Sequence, residues 1–121
     1  MKNNYFQVVR GGLNSTFQDN GRENLYHIGL PFSGVMDKRN YLIANKLINN
    51  NENDPVIEFA FQGPLLKYFG VTRDIVITGN VNFKIIKNDN TEHLGECYRT
   101  IKINDGDTID IISTNKSVYG Y

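Results

Sequence analysis

Alternation of apolar and polar residues with a period of two is the feature that most constrains the fold of this chain. Residues 56–62 show it clearly, with Ile57, Phe59 and Phe61 on one face and Glu58 on the other. Successive side chains of a strand point to opposite faces, so this pattern is typical of β-strands. The same reasoning predicts strands over residues 5–10, 73–78, 81–86, 99–103 and 108–112. The sequence therefore predicts a mainly β protein.

Turn-forming residues separate the predicted strands. Gly79-Asn80 predicts a compact hairpin between the two strands that flank it, and Asn88-Asp89-Asn90 predicts a further turn. Asn104-Asp105-Gly106-Asp107 gives the clearest local hairpin signal in the chain. Residues 117–121 begin like another strand and then stop, although a free terminus is usually polar. We therefore expect the chain to be a fragment or a truncated gene product.

One amphipathic helix is predicted over about residues 38–49, where the apolar residues recur with a helical period. Its apolar side carries Tyr41, Ile43, Ala44, Leu47 and Ile48. Its polar side carries Lys38, Arg39, Asn45, Lys46 and Asn49, whereas Asn40 and Leu42 fit neither side. Asp37 stands where an N-cap is expected, and Asn49-Asn50-Asn51 suits the end of a helix. We expect this helix to pack across the end of a sheet or barrel.

Charge and cysteine content exclude several classes of protein. The 121 residues include 13 acidic and 13 basic side chains, so no overall field attracts nucleic acid or an anionic membrane. No apolar stretch approaches the roughly 20 residues that span a bilayer. Cys97 is the only cysteine, which precludes an intrachain disulfide and fits a reducing cytoplasm. A cytoplasmic protein without nucleic-acid or membrane partners is expected.

A polar, glycine-rich segment between the first strand and the helix is the candidate binding site. Its polar side chains are Gln18, Asp19, Arg22, His27, Ser33 and Asp37. Loops held by a rigid scaffold commonly carry binding groups, and glycines allow a ligand to approach the backbone closely. Such a loop could orient a small polar substrate.

The residues of this segment also have structural interpretations. Arg22 could clamp a carboxylate or phosphate, or it could pair with Asp19 to hold the loop. Asp37 fits a helix cap better than a catalytic acid, and His27 fits a structural histidine better than a reactive one. Ser33 lacks the flanking pattern of a nucleophile elbow, which leaves hydrogen bonding to a ligand as its candidate role.

Outside the segment, Glu58 is the carboxylate of interest. It shares a strand face with apolar neighbours, so it is either paired, an arginine being the expected partner, or functional with a raised pKa. Cys97 is expected to pack as a small apolar residue, and His93 to lie on the surface. The two histidines do not have the spacing of metal ligands, so no metal site is predicted. The sequence also contains no glycine-rich motif for binding a nucleotide.

Five elements in this order resemble the biotin-dependent carboxyltransferase, or allophanate hydrolase subunit 2, family. Gln18-Asp19-Asn20-Gly21-Arg22 resembles the family's Q-D-x-G-R signature, and Gly29 to Asp37 resembles its G-x-P-x-S-G-x-M-D element. The run from Ala44 to Asn50 is similar to a helix-end motif. Ile57-Glu58 with Gly63-Pro64, and then Thr78-Gly79, resemble a strand motif and a turn motif that follow. The resemblance covers residues 8–80 firmly and the remainder loosely.

Three positions depart from the family pattern. Glu23-Asn24 occupies the place of Pro-Gly after the signature arginine, which puts the identity of the substrate in doubt. Asn49 replaces a glycine, a mild change because asparagine tolerates the left-handed conformation. Asn80 stands where alanine is common.

The resemblance implies a fold and an overall size. The fold is a cyclophilin-like β-barrel, and the full-length protein contains two such barrels. Residues 1–121 are then a single barrel domain, the N-terminal half of a two-barrel protein, and inactive when isolated.

The resemblance also implies alternative functions. Members act as a subunit of ATP-dependent 5-oxoprolinase, which opens a cyclic amide to glutamate, and this is our first choice because nothing here resembles a biotinyl domain. Others move a carboxyl group from carboxybiotin to urea, in urea carboxylase and allophanate hydrolase systems, and others bind the inhibitor of a sensor kinase without catalysis. The cofactors implied are ATP in the assembled complex or, alternatively, biotin, and the partners are further subunits of that complex.

Site roles follow from the first choice. An amide carbonyl needs polarisation and a ring nitrogen needs a proton, so we expect Arg22 and Asp19 to be catalytic. The small amide or urea-like substrate is expected to be bound by Gln18, His27, Ser33, Asp37 and Glu58.

Overall fold

The fold was analysed in a computed structural model, which describes residues 4–12, 15–18, 37–51, 54–114 and 119–121. Within these ranges the chain forms ten strands and one helix, α1, at Lys38–Leu47. The strands are β1 Tyr5–Arg10, β2 Thr16–Gln18, β3 Val56–Ala60, β4 Leu65–Phe69, β5 Arg73–Ile75, β6 Val81–Ile86, β7 Glu92–Leu94, β8 Ile101–Ile103, β9 Thr108–Thr114 and β10 Tyr119–Gly120. The predicted class, mainly β with one helix, is confirmed.

The strands form three antiparallel sheets. The largest has the order β1-β4-β9-β6-β7, a second has the order β10-β3-β2, and β5 pairs with β8 in the third. Over the described ranges, none of these sheets closes on itself, so a closed barrel is not seen. The non-sequential orders mean that most strand partners are distant in the sequence.

The main core lies on the inner face of the large sheet. Its fully buried members are Phe59, Tyr68, Ile77, Val81, Phe83, Ile85, Ile103, Ile109 and Ile111. A smaller cluster of Tyr41, Ala44 and Tyr121 joins α1 to the end of the chain, with Val56 and Tyr119 packed against it. Helix α1 therefore packs against the sheet that contains β3 and β10.

The helix begins and ends close to the predicted positions. Asp37 is its N-cap, accepting a hydrogen bond from the Asn40 amide, and Asn49 adopts the left-handed conformation (φ 59°) just past its end. Asn45, however, is fully buried instead of lying on the polar side. Its amide donates to the Asp54 carbonyl (2.9 Å) and its oxygen accepts from Asn50, so burial leaves neither group unsatisfied.

The alternation predicted over residues 56–62 is partly wrong. Glu58, Phe59 and Ala60 are all buried, because both faces of β3 are covered. Phe61 was predicted to share a face with Phe59, but Phe59 is buried, whereas Phe61 has a φ of 62° and is 58% exposed. The strand ends at Ala60, so the period-two pattern no longer sets the direction of the Phe61 side chain.

Both predicted hairpins are wrong, although the turns exist. The strands on either side of Gly79-Asn80 do not pair with each other, since β5 pairs with β8 while β6 pairs with β7 and β9. The strands on either side of Asn104 to Asp107 do not pair with each other either, since β8 pairs with β5 and β9 pairs with β4 and β6. Turn residues reverse the chain locally, but burial of the two flanking strands decides which strands meet.

Three strands were missed: β2, which pairs with β3, and the strands β4 and β7 of the large sheet. β4 starts directly after Gly63-Pro64, which was interpreted only as the end of β3, and it lies between β1 and β9 in the large sheet. β7 is short, charged and exposed at the edge of that sheet, where the turn at Asn88-Asp89-Asn90 joins it to β6. Edge strands of this kind carry little apolar patterning to reveal them.

No helix among the described residues is long and apolar enough to cross a membrane.

Candidate functional site

A hydrogen-bonded chain of three residues lies at the N-terminal end of α1. The backbone N–H of Asp37 donates to the hydroxyl oxygen of Tyr121 (2.7 Å), and that hydroxyl donates to Oε2 of Glu58 (2.7 Å). Tyr121 and Glu58 are each 5% exposed. The buried carboxylate on β3 is thus connected through one phenol to the residue where the helix begins.

The carboxylate of Asp37 is occupied by the helix that it caps. One oxygen accepts from the Asn40 backbone amide (3.1 Å) and the other from the Asn40 side-chain amide (2.7 Å). These contacts satisfy amide groups in the first helical turn, as expected of an N-cap. The prediction that Asp37 caps the helix is confirmed, while its contact with substrate stays a prediction.

Asn40 extends the network to the turn at Thr78-Gly79. Its side-chain oxygen accepts from the hydroxyl of Tyr98, which itself accepts from the Gly79 amide (3.1 Å). Its backbone carbonyl accepts from Oγ1 of Thr78 (2.9 Å). Asn40 fitted neither side of the predicted helical wheel, and its polar contacts explain why this amide lies at the inner edge of the helix.

The backbone of Tyr121 is anchored to the same turn. The Thr78 N–H donates to the Tyr121 carbonyl (2.7 Å), and the Tyr121 N–H donates to the Thr78 carbonyl (3.0 Å). Asp37, Glu58 and Thr78-Gly79 come from three of the motif elements found in the sequence. Tertiary folding brings these elements together around Tyr121.

The electrostatic environment keeps the phenol of Tyr121 neutral. Burial raises its pKa above the usual value, and the hydrogen bond to the Glu58 carboxylate raises it further. A neutral phenol has one O–H to donate, and the structure directs it to Glu58. The hydrogen bond therefore has a fixed direction at neutral pH.

An apolar cavity of about 150 Å³ lies beneath the network. Tyr121, Asn45 and Ala44 contribute to its wall, together with side chains of the main core. Its lining is nearly all hydrocarbon, which does not suit a polar amide or urea. Among the described residues, the polar groups of the network suit such a molecule better.

Only part of the predicted site falls within the described residues. Asp19 and Arg22, predicted to be catalytic, and His27 and Ser33, predicted to bind substrate, lie outside them. Gln18 lies at the end of β2, opposite Val56, and its side chain donates to Oγ1 of Thr16 (3.1 Å). It neighbours β3 but does not join the network around Tyr121 in the described contacts.

Glu58 accepts a hydrogen bond from the phenol of Tyr121, a partner that the sequence did not indicate, while its pairing with an arginine stays a prediction. Tyr121 was missed because it stands at the end of a short strand that has no motif of its own. The helical misfit at Asn40 and the turn motif at Thr78-Gly79 were available signals for the network. Neither signal indicates that its residues would meet Tyr121.

The two other reactive side chains have the positions expected of them. Cys97 packs partly buried against the main core, its thiol donates to the Val81 carbonyl (3.4 Å), and burial raises its pKa. A raised thiol pKa disfavours the nucleophilic thiolate. His93 is exposed on β7. In the part of the chain that is described, no three His, Cys, Asp or Glu side chains are grouped to hold a metal.

Comparisons with known proteins agree with the motif elements. The family "Carboxyltransferase domain, subdomain A and B" matches residues 28–121. Urea amidolyase of Lachancea kluyveri is 31% identical over 107 residues, covering 88% of this chain and 6% of that protein. A 5-oxoprolinase subunit of Escherichia coli (strain K12) is 32% identical over 73 residues, covering 60% of this chain and 23% of that protein.

Solved structures share the fold. The crystal structure of the K. lactis urea amidolyase superposes with a TM-score of 0.83 at 26% identity, covering 96% of this chain and 7% of that chain. The Kluyveromyces lactis urea carboxylase superposes with a TM-score of 0.82, also at 26% identity, covering 96% of this chain and 10% of that chain. The chain thus spans a small part of the length of each of these larger proteins.

Proposed function

This chain belongs to the carboxyltransferase domain family of subdomains A and B, and from that premise we propose that it forms part of the substrate site of an enzyme acting on a small amide or urea-like molecule. One observation carries the proposal: Asp37, Glu58 and Thr78-Gly79, which come from separate motif elements, meet around Tyr121. Grouped polar side chains at a rigid junction of helix and sheet are typical of binding sites.

The preferred activity is that of a subunit of ATP-dependent 5-oxoprolinase, which acts with partner subunits in the cytoplasm. Its support is the similarity to the 5-oxoprolinase subunit of Escherichia coli. In this proposal Arg22 polarises the carbonyl of the cyclic amide and Asp19 supplies a proton to the ring nitrogen. Gln18, His27, Ser33, Asp37 and Glu58 hold the substrate in place.

The carboxyltransferase part of a urea carboxylase is the second candidate. The observation that favours it is the similarity to urea amidolyase over 107 residues, a longer stretch than the 73 residues matched in the oxoprolinase protein. In that role the same site holds urea or a similar molecule. A carboxybiotin then comes from another domain, since Met36 is followed by Asp37 and not by a biotin-bearing lysine.

Neither cofactor is assigned to the described residues. Free backbone amides at a helix N-terminus can hold a phosphate group, and at α1 the Asn40 amide already donates to the Asp37 carboxylate. We place ATP in the assembled complex with the partner subunits. We also propose that the complete protein is a longer polypeptide with two cyclophilin-like barrels, of which this chain forms the first.

The test is reconstitution of this chain, as part of its full-length protein, with the partner subunits of the proposed complex. We expect the assembled complex to consume 5-oxoproline and form glutamate only when ATP is present. Carboxylation of urea, dependent on biotin and bicarbonate, would instead support the second candidate. Tight assembly without either turnover would reject both in favour of a binding role such as capture of a sensor-kinase inhibitor.

The Arg22→Ala variant tests the catalytic assignment within that complex. We expect the turnover of 5-oxoproline to fall by at least about 100-fold, because an electrostatic contact to the reacting carbonyl is removed. Arg73→Ala is the matched control, since Arg73 is exposed on β5, away from the network. Unchanged kinetics for Arg22→Ala would reject the role of Arg22.

A further inference from the structure

We infer that Tyr121 is a positioning residue of the proposed site, holding Asp37, the N-cap of α1, against Glu58 of β3. The inference rests on the proposed function for its effect on catalysis, but the contact itself is testable without substrate. Tyr121 touches no group assigned to chemistry directly. It acts through Asp37 and Glu58.

Both ends of the polar segment are tied to β3. At one end, β2 pairs with β3 so that Thr16 lies opposite Glu58 and Gln18 opposite Val56. At the other end, the Asp37 amide is joined to Glu58 through the Tyr121 hydroxyl. Both connections thus meet at Glu58, the first through pairing of β2 with β3 and the second through the Tyr121 hydroxyl.

The groups around the Tyr121 hydroxyl fix the direction of both of its hydrogen bonds. An amide N–H can only donate, so the hydroxyl oxygen of Tyr121 accepts from Asp37 and its own O–H donates to Glu58. A phenylalanine ring fills the same space but offers neither group. Removal of the single hydroxyl oxygen therefore breaks both contacts together.

The phenol is itself held by its surroundings. Two backbone hydrogen bonds join Tyr121 to Thr78, and its ring packs with Tyr41 and Ala44 of α1. Gly120 allows the approach, because a Cβ there would meet the Phe59 ring at 2.5 Å and the Val81 side chain at 2.7 Å. The hydroxyl is therefore placed by the fold before any substrate binds, as a positioning residue requires.

Tyr121→Phe tests the inference against a matched control, Tyr68→Phe. Tyr68 is equally buried (3% against 5% exposed), and its hydroxyl donates to the Val71 carbonyl, outside the network. We expect hydrogen exchange of the Asp37 amide to quicken at least about tenfold in Tyr121→Phe, because its acceptor is lost, and to stay unchanged in Tyr68→Phe. Equal exchange rates in both variants and in the wild type would overturn the inference.

Kinetics of the reconstituted complex supply the readout that a purely stabilising role would not move. Tyr121→Phe should raise KM for the substrate about tenfold or more with a smaller change in kcat, because Asp37 and Glu58, which are proposed to hold the substrate, are less well placed. Tyr68→Phe should leave both constants unchanged. An unchanged KM in Tyr121→Phe would overturn the positioning role. Absence of any turnover in the wild-type complex would instead reject the proposed function, leaving the exchange measurement to decide the role of Tyr121.

One measurement needs no variant, in case Tyr121→Phe does not fold. In the wild-type chain the Tyr121 hydroxyl proton should exchange slowly and show a nuclear Overhauser effect to the Asp37 amide proton. Absence of that effect, with the Asp37 amide assigned, would overturn the inference.

Discussion

Two buried carboxylates, Asp107 and Glu58, show how the same chemical group can have different tasks in one small fold. They are 1% and 5% exposed. Asp107 accepts from the Asn104 amide (2.8 Å), the Asn88 amide (3.1 Å) and the ammonium of Lys87 (3.0 Å). Glu58 accepts from the phenol of Tyr121, which also holds the amide of Asp37.

The difference lies in what each carboxylate joins. All three donors to Asp107 lie within 20 residues of it, in its own turn and in the turn at Lys87-Asn88. Tyr121 is 63 residues from Glu58 and 84 from Asp37. Asp107 therefore stabilises two neighbouring turns. Glu58 joins strands and a helix that meet only in the folded protein, at the residues that carry the family motifs.

Burial of a carboxylate does not by itself mark a functional site. A carboxylate surrounded by backbone amides and one lysine is fully explained by turn stability. Glu58 is connected to a separate motif element through the neutral side chain of Tyr121, so its contacts fix where these elements meet. Four predictions test this contrast.

The largest effect is expected for Asp107→Ala, which should lower the free energy of unfolding by about 3 kcal/mol. Two backbone amides and the Lys87 ammonium lose their acceptor in a buried setting. Urea denaturation measures the loss. Asp105→Ala is the control in the same turn, because its carboxylate accepts from Gly70 at an exposed position and should cost less. A loss under about 1 kcal/mol for Asp107→Ala would contradict its structural role.

A pH-dependent loss of stability is expected from Tyr121. Its pKa is higher in the folded chain than in the unfolded chain, so its contribution is fully present below the unfolded pKa, near 10, and is lost as the pH rises above that value. The loss should be about 1.4 kcal/mol per pH unit in that range.

Denaturation of the wild type and of Tyr121→Phe at several pH values measures this loss. The difference between the two proteins should be constant from pH 7 to 9 and should shrink above pH 10. A difference that stays constant through pH 11 would show that the folded phenol ionises like an unfolded one.

A smaller effect is expected from the helix cap. Asp37→Ala should cost about 1 kcal/mol of stability, because the Asn40 amide loses its acceptor, while Asp37→Asn should cost only a few tenths, since asparagine caps equally well. Thermal or urea unfolding measures both. If Asp37→Asn retains stability but lowers turnover of the reconstituted complex, its charge serves the substrate. Equal stability losses in the two variants would contradict the capping role.

The smallest effect is expected at a surface pair that serves neither task. Lys102 and Asp74 lie 3.4 Å apart with side chains 76% and 53% exposed. Asp74→Ala should change the unfolding free energy by less than about 0.5 kcal/mol, because solvent screens such pairs. The same urea titration measures it, and it sets the baseline for the Asp107 and Asp37 variants. A loss comparable with that of Asp107→Ala would remove the contrast between buried and exposed carboxylates.

Much of the fold follows from local sequence. The strand at Tyr5–Arg10, the strand at Val81–Ile86 and the helix with its cap at Asp37 were predicted at or near their observed bounds. Period-two alternation and cap chemistry act over a few residues, so they can be read without knowing the rest of the chain. The hairpins were not predictable in this way, since β5 and β6 have partners elsewhere.

The residues of the candidate site likewise differ in whether the local sequence indicates them. Asp37 and Glu58 were predicted as site residues because each lies in a motif element, and the structure brings both to Tyr121. The hydroxyl of Tyr121 carries no signal in its own neighbourhood. The contribution of Asn40 was visible only as a misfit on a helical wheel.

Local sequence patterns establish the mainly β class, the capped helix at Lys38–Leu47 and the motif elements that this chain shares with its family. Backbone preferences and side-chain periodicity fix these features over short stretches. Only the tertiary structure decided which strands pair and that Tyr121 connects Asp37 with Glu58. Those choices depend on burying apolar faces, and on satisfying buried polar groups, between segments as far apart as residues 37 and 121.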